Sequence, residues 1–357
     1  MIDRKETTAM KIQQHYPLLH HNTFGMDQQC DEYLEFSSTA DAVEAAAYIR
    51  DHADRPLLIL GGGSNLLLTH DFQGLVVSPE QRFEVHAETD DKGNTLLRCW
   101  AGCTFDDVVA YAVAHQMYGL ENLSLIPGQC GASAVQNIGA YGAEAKDTLV
   151  SVEAVEIATG RQVTIPADDC EYAYRQSRFK HEWRDKYLIT WVVYRLSSVF
   201  SPRLDYGNIR RVLEDDHIAV ETLTAQQLRD AIIRIRQAKL PDPAVLGNGG
   251  SFFMNPIVDE ATFERAKEEH PDLRYFDAPD EKPGSGKHYK IPAGWLIDQC
   301  GWKGKKLGRA GVYEKQALVL VNLGGATGED VVALMHAIQA DVREKFGLEL
   351  KPEVNIR

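Results

Sequence analysis

The sequence predicts an α+β protein of more than one domain. Three observations carry that reading. Short apolar runs of strand length recur between residues 32 and 196, most of them bounded by turn-forming residues. Stretches with apolar side chains at three- and four-residue spacing are interspersed with those runs and recur as far as Phe346. The length, 357 residues, suggests two or three domains at about 150 residues each.

Taken in order, residues 1–20 read as weakly ordered or helical, and Glu32–Ser37 (EYLEFS) as a short strand. Thr39 is placed to cap a helix over Ala40–Asp51, with Val43, Ala46, Ala47 and Ile49 among its apolar positions. Pro56–Leu60 is a second strand that runs into Gly61-Gly62-Gly63-Ser64-Asn65, and Leu66–Leu68 continues as strand, giving a β–α–β start. Leu75–Ser78, Arg82–Glu88 and Thr95–Trp100 are strand-like, with Asp90–Asn94 as a hairpin turn. Thr104 is placed to cap a helix over Phe105–His115. Beyond a glycine-rich stretch come strands at Val150–Ile157, Gln162–Ile165 and Leu188–Leu196. Leu204–Leu213 leads into the helix Ala225–Lys239, which Pro241 and Pro243 terminate. A further glycine turn, Gly247–Ser251, is followed by a helix over Asp259–Glu269 and a polar loop over Pro271–Lys290. A helix over Ala293–Cys300, a strand over Ala317–Val321 and a long amphipathic helix over Thr327–Phe346 follow. Extended chain around Pro352 completes the order.

Composition excludes several classes of function. The formal net charge of −14 disfavours generic binding to nucleic acid or to anionic membranes. No run approaches the roughly 18 apolar residues of a membrane-spanning helix, and the polar N-terminus lacks the apolar centre of a signal peptide. A cytoplasmic location is the expectation. The six cysteines form no CxxC pair and no ligand-like pattern with the histidines, so they are expected to be reduced thiols, with no metal site.

Two glycine stretches stand out. Ile126–Glu144 (IPGQCGASAVQNIGAYGAE) holds four glycines and one charged residue. It reads either as chain wrapped around a flat, hydrogen-bonding ligand or as a tight loop buried in a core. Gly61–Asn65 offers amides that suit an anion. It lacks the Lys-Ser/Thr of a Walker loop and the GxGxxG of a dinucleotide fingerprint, and a plain tight turn is the alternative.

Six motifs then combine in one order: LGGGSNLLL at 60–68, Ile126–Glu144, YRQSRFK at 174–180, GNGGSFFMNP at 247–256, AGWLIDQCGWKG at 293–304 and KPEV at 351–354. Together they closely resemble the UDP-N-acetylenolpyruvoylglucosamine reductase (MurB) family, from about residue 20 to the C-terminus. The resemblance is to the longer subtype, which has a tyrosine loop. It implies a two-part FAD-binding module of the vanillyl-alcohol-oxidase type followed by an α+β substrate-binding domain. The expected division is 1–75, 76–240 and 241–346, with 347–357 returning to the first part.

The resemblance also implies the chemistry. FAD, held without a covalent bond, would pass hydride from NADPH to the enolpyruvyl group of a UDP-sugar, giving UDP-N-acetylmuramate. The flavin contacts implied are Gly61, Gly62, Gly63, Ser64, Asn65 and Leu66, then Ile126, Pro127, Gly128, Gly131, Ala132, Ser133, Gln136, Asn137, Gly139, Ala140, Tyr141 and Gly142. Arg175 matches the arginine that polarises the substrate carboxylate, Glu353 the glutamate that stabilises the enolic intermediate, and Ser251 the proton donor. Tyr174, Tyr206, Lys239, Asn255 and Gln299 match substrate contacts. Cys130 is expected to be a packed small residue. A monomer is implied. The competing readings are an alcohol or sugar oxidase on the same flavin fold, and a non-enzymatic nucleotide-binding protein.

Overall fold

The computed structural model describes residues 11–278 and 286–357. The expectations for residues 1–10, and for the middle of the Pro271–Lys290 loop, lie outside them. By its internal contacts the chain forms two units. The first holds the strand Lys11–Pro17 together with Gln29–Gly62 and Phe72–Ile235; the second holds Leu18–Gln28, Gly63–Asp71 and Arg236–Arg357.

Among the described residues the first unit contains a two-stranded sheet that pairs Gly139–Ala140 with Ala143–Glu144, and two larger sheets. In one, the strands Gln29–Phe36, Phe72–Pro79 and Leu57–Ile59 run parallel, and Lys11–Pro17 pairs antiparallel at the edge. That edge strand corrects the expectation of weak or helical structure before residue 20. The other sheet has five antiparallel strands in the order Gln162–Pro166, Leu149–Glu156, Tyr187–Leu196, Thr95–Trp100 and Val85–Thr89.

Helix α1 (Thr39–Asp51) buries Ala42, Ala45, Ala46 and Ile49 in the core of this unit. Their spacing of three, one and three residues forms one stripe on a 3.6-residue helix. Three of the four are alanines, so the helix axis can lie close to its neighbours. Its cap is Ser38, whose hydroxyl accepts from the Asp41 N–H, rather than Thr39. Helix α2 (Phe105–Ala114), at whose start the Thr104 side chain makes no capping hydrogen bond, and the short α3 (Cys130–Gln136) complete the layer. Trp100, Phe105, Val152, Val192 and Tyr194 are buried among them. Each such side chain is worth roughly 1.5–3 kcal/mol when removed from water. A satellite core gathers Ile209 and Leu213 of α4 (Ile209–Asp215) with Leu228, Ile232 and Ile235 of α5 (Ala225–Lys239).

The second unit is built on an antiparallel sheet ordered Asn248–Ser251, Val319–Asn322, Ala310–Val312 and Lys306–Leu307. A second antiparallel sheet joins Ile257–Asp259, His288–Lys290 and Phe276–Ala278. The last two strands lie in the segment expected to be loop. They are three residues each and carry no alternating pattern, so pairing rather than sequence defines them. Helices α6 (Glu260–Glu269), α7 (Ala293–Gln299) and α8 (Gly328–Phe346) belong to this unit. Helix α8 buries Val331, Leu334, Met335, Ile338, Val342 and Phe346 along one face. The strand Asn355–Ile356 pairs parallel with Leu66–Leu67.

Candidate active site

In the first unit the two glycine stretches meet. Gly61 and Gly62 follow the strand Leu57–Ile59 and press against the segment that opens α3. A Cβ placed on Gly62 would lie 3.0 Å from the Gly128 Cα, and one on Gly61 would lie 3.3 Å from the Ala132 Cβ. Main chain thus approaches main chain at a distance that a side chain at Gly62 would oppose. Beside this contact the side chain of Gln129 is buried, and among the described residues its Oε1 accepts no hydrogen bond. A buried acceptor left in that state costs about 1–3 kcal/mol. A ligand offering an N–H or O–H at that point removes the cost. The Gln129 acceptor therefore fits a ligand that presents a donor there, as the polar edge of a flavin does.

The middle of the stretch is a helix, α3, and not only a glycine wall. Its start is tied down: the Cys130 N–H donates to the Cys103 carbonyl and the Gly131 N–H to the Ala101 carbonyl, each at 2.9 Å. Cys130 is fully buried, and burial, reinforced by Cys99 beside it, raises its thiol pKa well above the ordinary value. It packs as a neutral thiol. Ser133 donates to the Cys130 carbonyl at 2.7 Å and shares a 2.6 Å hydrogen bond with the Tyr194 hydroxyl. The Lys180 ammonium donates to Gln136 Oε1 at 3.1 Å.

Asn137 ends α3 in the left-handed region, φ +44°. Its Nδ2 donates to the Glu144 carboxylate (2.8 Å) and to the Ala173 carbonyl (2.9 Å), and its Oδ1 accepts from the Lys146 N–H (3.1 Å). The side chain of Asn137 therefore fastens two turns together instead of offering its amide to a ligand edge.

Arg175 is brought to the same place. Its backbone is left-handed, φ +57°, in a tight turn where Ala173 and Gln176 bridge. Its Nη2 donates to the Gly139 carbonyl at 2.7 Å, and a Cβ on Gly139 would lie 3.0 Å from its Nη1. The Lys180 ammonium donates to the Arg175 carbonyl at 2.8 Å, and the guanidinium carbon lies 5.5 Å from the Tyr174 ring centre. Further along, Ala140–Gly142 forms a turn against the tyrosine loop. The Tyr141 and Tyr206 rings meet edge to face with centres 6.4 Å apart, and a Cβ on Gly142 would lie 3.3 Å from the Tyr206 Cβ. Ile126 packs partly buried on the core, and Pro127 is exposed.

The second unit holds Gly63, Ser64, Asn65 and Leu66. The Thr23 N–H donates to the Gly63 carbonyl at 3.2 Å, and Asn65 Nδ2 donates to the Glu353 carbonyl at 3.2 Å. Ser251 ends the strand Asn248–Ser251 and is exposed. The next residue, Phe252, accepts a 2.8 Å hydrogen bond from the Glu353 N–H, and Phe253 bridges Pro352. Ser251 and Glu353 therefore sit on neighbouring antiparallel segments. The expected glycine turn is instead an irregular strand, and buried Asn248 braces its irregularity before Ser251, accepting from the Gly250 N–H at 2.9 Å and donating to the Leu246 carbonyl at 2.8 Å. Asn255 Oδ1 accepts from the Ala293 N–H at 2.9 Å and so caps α7, whose last residue is Gln299. The two ends of that helix are about 10 Å apart at 1.5 Å per residue. Lys239 closes α5, half-buried.

Sequence reasoning passed over Gln129 and Asn248. A polar amide inside a glycine- and alanine-rich run is the signal that marks Gln129. Asn248 looks like any turn residue until its partners are known.

Comparison with known proteins agrees with this layout. A family model described as an FAD binding domain matches residues 31–166, and one described as the C-terminal domain of UDP-N-acetylenolpyruvoylglucosamine reductase matches residues 242–357. A UDP-N-acetylenolpyruvoylglucosamine reductase of Bacteroides fragilis is 48% identical over 345 residues, covering 96% of this chain and 99% of its own. Relatives of the same name from Porphyromonas gingivalis (46%, covering 97% of this chain and 99% of the relative) and Burkholderia ambifaria (45%, covering 98% and 97%) align as fully. The crystal structure of UDP-N-acetylenolpyruvylglucosamine reductase (MurB) from Thermus caldophilus shares the fold, with a TM-score of 0.65 at 22% identity, covering 97% of this chain and 99% of that one. With close to half its residues shared over nearly its whole length, the chain belongs to the UDP-N-acetylenolpyruvoylglucosamine reductase (MurB) family.

Proposed function

We propose that this chain reduces UDP-N-acetylglucosamine enolpyruvate to UDP-N-acetylmuramate, a step in making peptidoglycan precursors, with non-covalent FAD and with NADPH as the hydride source. The observation that carries the reading is the backbone contact of Gly61–Gly62 with Gly128–Ala132 beside the unsatisfied Gln129 acceptor, in a chain whose relatives match it end to end. Bound FAD would supply the hydride chemistry that links NADPH to the methylene carbon of the enolpyruvyl group. Gly61–Leu66 and the Ile126–Gly142 residues named above are its proposed contacts, Asn137 through its main chain only, since its side-chain amide is spent on Glu144, Ala173 and Lys146.

The remaining tasks fall to side chains. Arg175 clamps the substrate carboxylate, where negative charge grows as hydride arrives; a planar guanidinium suits two parallel hydrogen bonds. Glu353 stabilises the enolic intermediate while carrying or sharing a proton. Ser251 hands the proton to the adjacent carbon, which the intermediate's basicity and close approach allow. Tyr206 and Lys239 serve the diphosphate, and Tyr174, Asn255 and Gln299 supply further contacts. We assign the ligand tasks to 1–75, 76–240 and 241–346, and place the protein in the cytoplasm as a monomer. In support of that location, no helix among the described residues is long and apolar enough to cross a membrane. Sedimentation of the pure protein tests the monomer.

The deciding experiment is spectroscopic. The purified protein is expected to be yellow, to be bleached by NADPH without oxygen, and to regain its colour on addition of the enolpyruvyl substrate. A colourless protein that ignores added FAD overturns the proposal.

A further inference from the structure

The tyrosine loop touches the Tyr141 turn through one ring pair and two close glycines, yet its main chain is fastened from elsewhere. Asn122 lies on the short turn Glu121–Leu123 and is 3% exposed. Its Nδ2 donates to the Tyr141 carbonyl at 2.8 Å and to the Arg203 carbonyl at 2.9 Å. One side chain thereby joins two segments distant from it in sequence. The turn that carries it is itself fixed. Leu123 is fully buried in the core, and the Ser124 hydroxyl donates to the Glu121 carbonyl at 2.6 Å.

Both segments so joined are unusual backbone. Tyr141, Gly142 and Gly207 have φ of +49°, +78° and +67°. A Cβ on Gly207 would lie 3.6 Å from the Tyr141 ring. A second tie is Arg203, whose guanidinium donates to the Gly142 carbonyl at 3.2 Å and pairs with Asp147. That arginine is half exposed, and solvent weakens such a pair. A buried amide donating to two main-chain carbonyls is the firmer fixture.

We propose that Asn122 is a positioning residue that sets where the tyrosine loop stands, and through it the affinity for the UDP-sugar. The inference rests on the substrate role assigned above to Tyr206. Asn122 meets no substrate itself. It holds the carbonyls of Tyr141 and Arg203 at one spacing, so the exposed Tyr206 ring is presented from a fixed base. Ordering the loop before substrate arrives lowers the ordering cost at binding.

The test compares Asn122→Ala, Tyr206→Ala and the double variant in the flavin-loaded enzyme, with hydrogen–deuterium exchange of residues 203–208 as a readout independent of turnover. Asn122→Ala is expected to speed exchange in that segment and to raise KM for the UDP-sugar roughly tenfold with kcat little changed. In the Tyr206→Ala background its effect on KM should shrink to less than about twofold, because the ring it positions is gone. Unchanged exchange overturns the proposal, and so does a KM penalty that persists undiminished without Tyr206. Faster exchange together with a Tyr206→Ala variant of unaltered KM supports the positioning and sinks the substrate role of Tyr206 instead. Should the alanine variant lose its flavin, Asn122→Leu carries the same test, since it keeps the buried volume and removes both donors.

Discussion

Arg175 is held before any substrate arrives. Its side chain donates to the Gly139 carbonyl and its own carbonyl accepts from Lys180. Arg175→Lys keeps the charge but loses the fork, so the substrate-reducing half-reaction is expected to slow by roughly 10²-fold; stopped-flow reoxidation of the reduced enzyme measures it. Ser251→Ala should slow the same half-reaction by about 10²-fold or more, while reduction by NADPH proceeds nearly as before. Equal slowing of both half-reactions would remove Ser251 from the proton-donor role. Gly62→Val places branched carbon where the Gly128 Cα stands 3.0 Å away; the purified variant should carry little flavin, read as visible absorbance per protein. The residues of the proposed chemistry were legible only as a combination of motifs, since a lone serine after two glycines or a glutamate after proline has no chemistry of its own. Asn122 was not legible, and Gln129 was marked only as a polar amide in a run of small residues. What an amide does depends on which carbonyls or ligands surround it, and one sequence does not record that.

At the scale of elements, periodicity served the helices best. The stripes of α1 and α8 repeat every three or four residues, and their burial follows that spacing. Ala45→Leu on α1 adds three carbons to a fully buried face and should cost about 1–3 kcal/mol by overpacking. Thr327→Ala removes one half of the capping box at the start of α8, where the hydroxyl accepts from the Asp330 N–H; about 1 kcal/mol of stability should go with it. Denaturant midpoints check both. Long strands were legible for the same reason as the helices. The short strands near Phe276 and His288 were not, because three residues give no alternation to read. Helix α3 was obscured by composition. Its glycines and alanines argue against a surface helix, yet between Ala101 and Tyr194 small residues are what fit.

The molecule as a whole should respond to acid through Glu32. Burial alone would raise the pKa of this carboxylate, but hydrogen bonds from Gln14, Arg55 and Tyr48 overcome it and bring the value from 4.5 down to about 2. Because the folded value is the lower one, the contribution is complete above pH 4.5 and fades as pH falls towards 2. The stability gap between the native protein and Glu32→Gln should therefore close across that window in pH-dependent urea melts. Added FAD should raise the melting temperature, by about 2.7 kcal/mol of linkage at a hundredfold excess over Kd. The fold class was readable in the sequence. The grouping of Leu18–Gln28 and Gly63–Asp71 with Arg236–Arg357 was not, although a return of 347–357 to the first part was expected and Asn355–Ile356 pair with Leu66–Leu67. That pairing has a consequence for synthesis. Asn65, a proposed flavin contact, receives its hydrogen bond from a residue 290 positions later. At about 5–20 residues per second the ribosome delivers that partner roughly 15–60 s after the glycine loop has emerged. Throughout that interval the nascent loop waits without its closing strand, so cofactor loading belongs after translation has passed Asn355 and not during it.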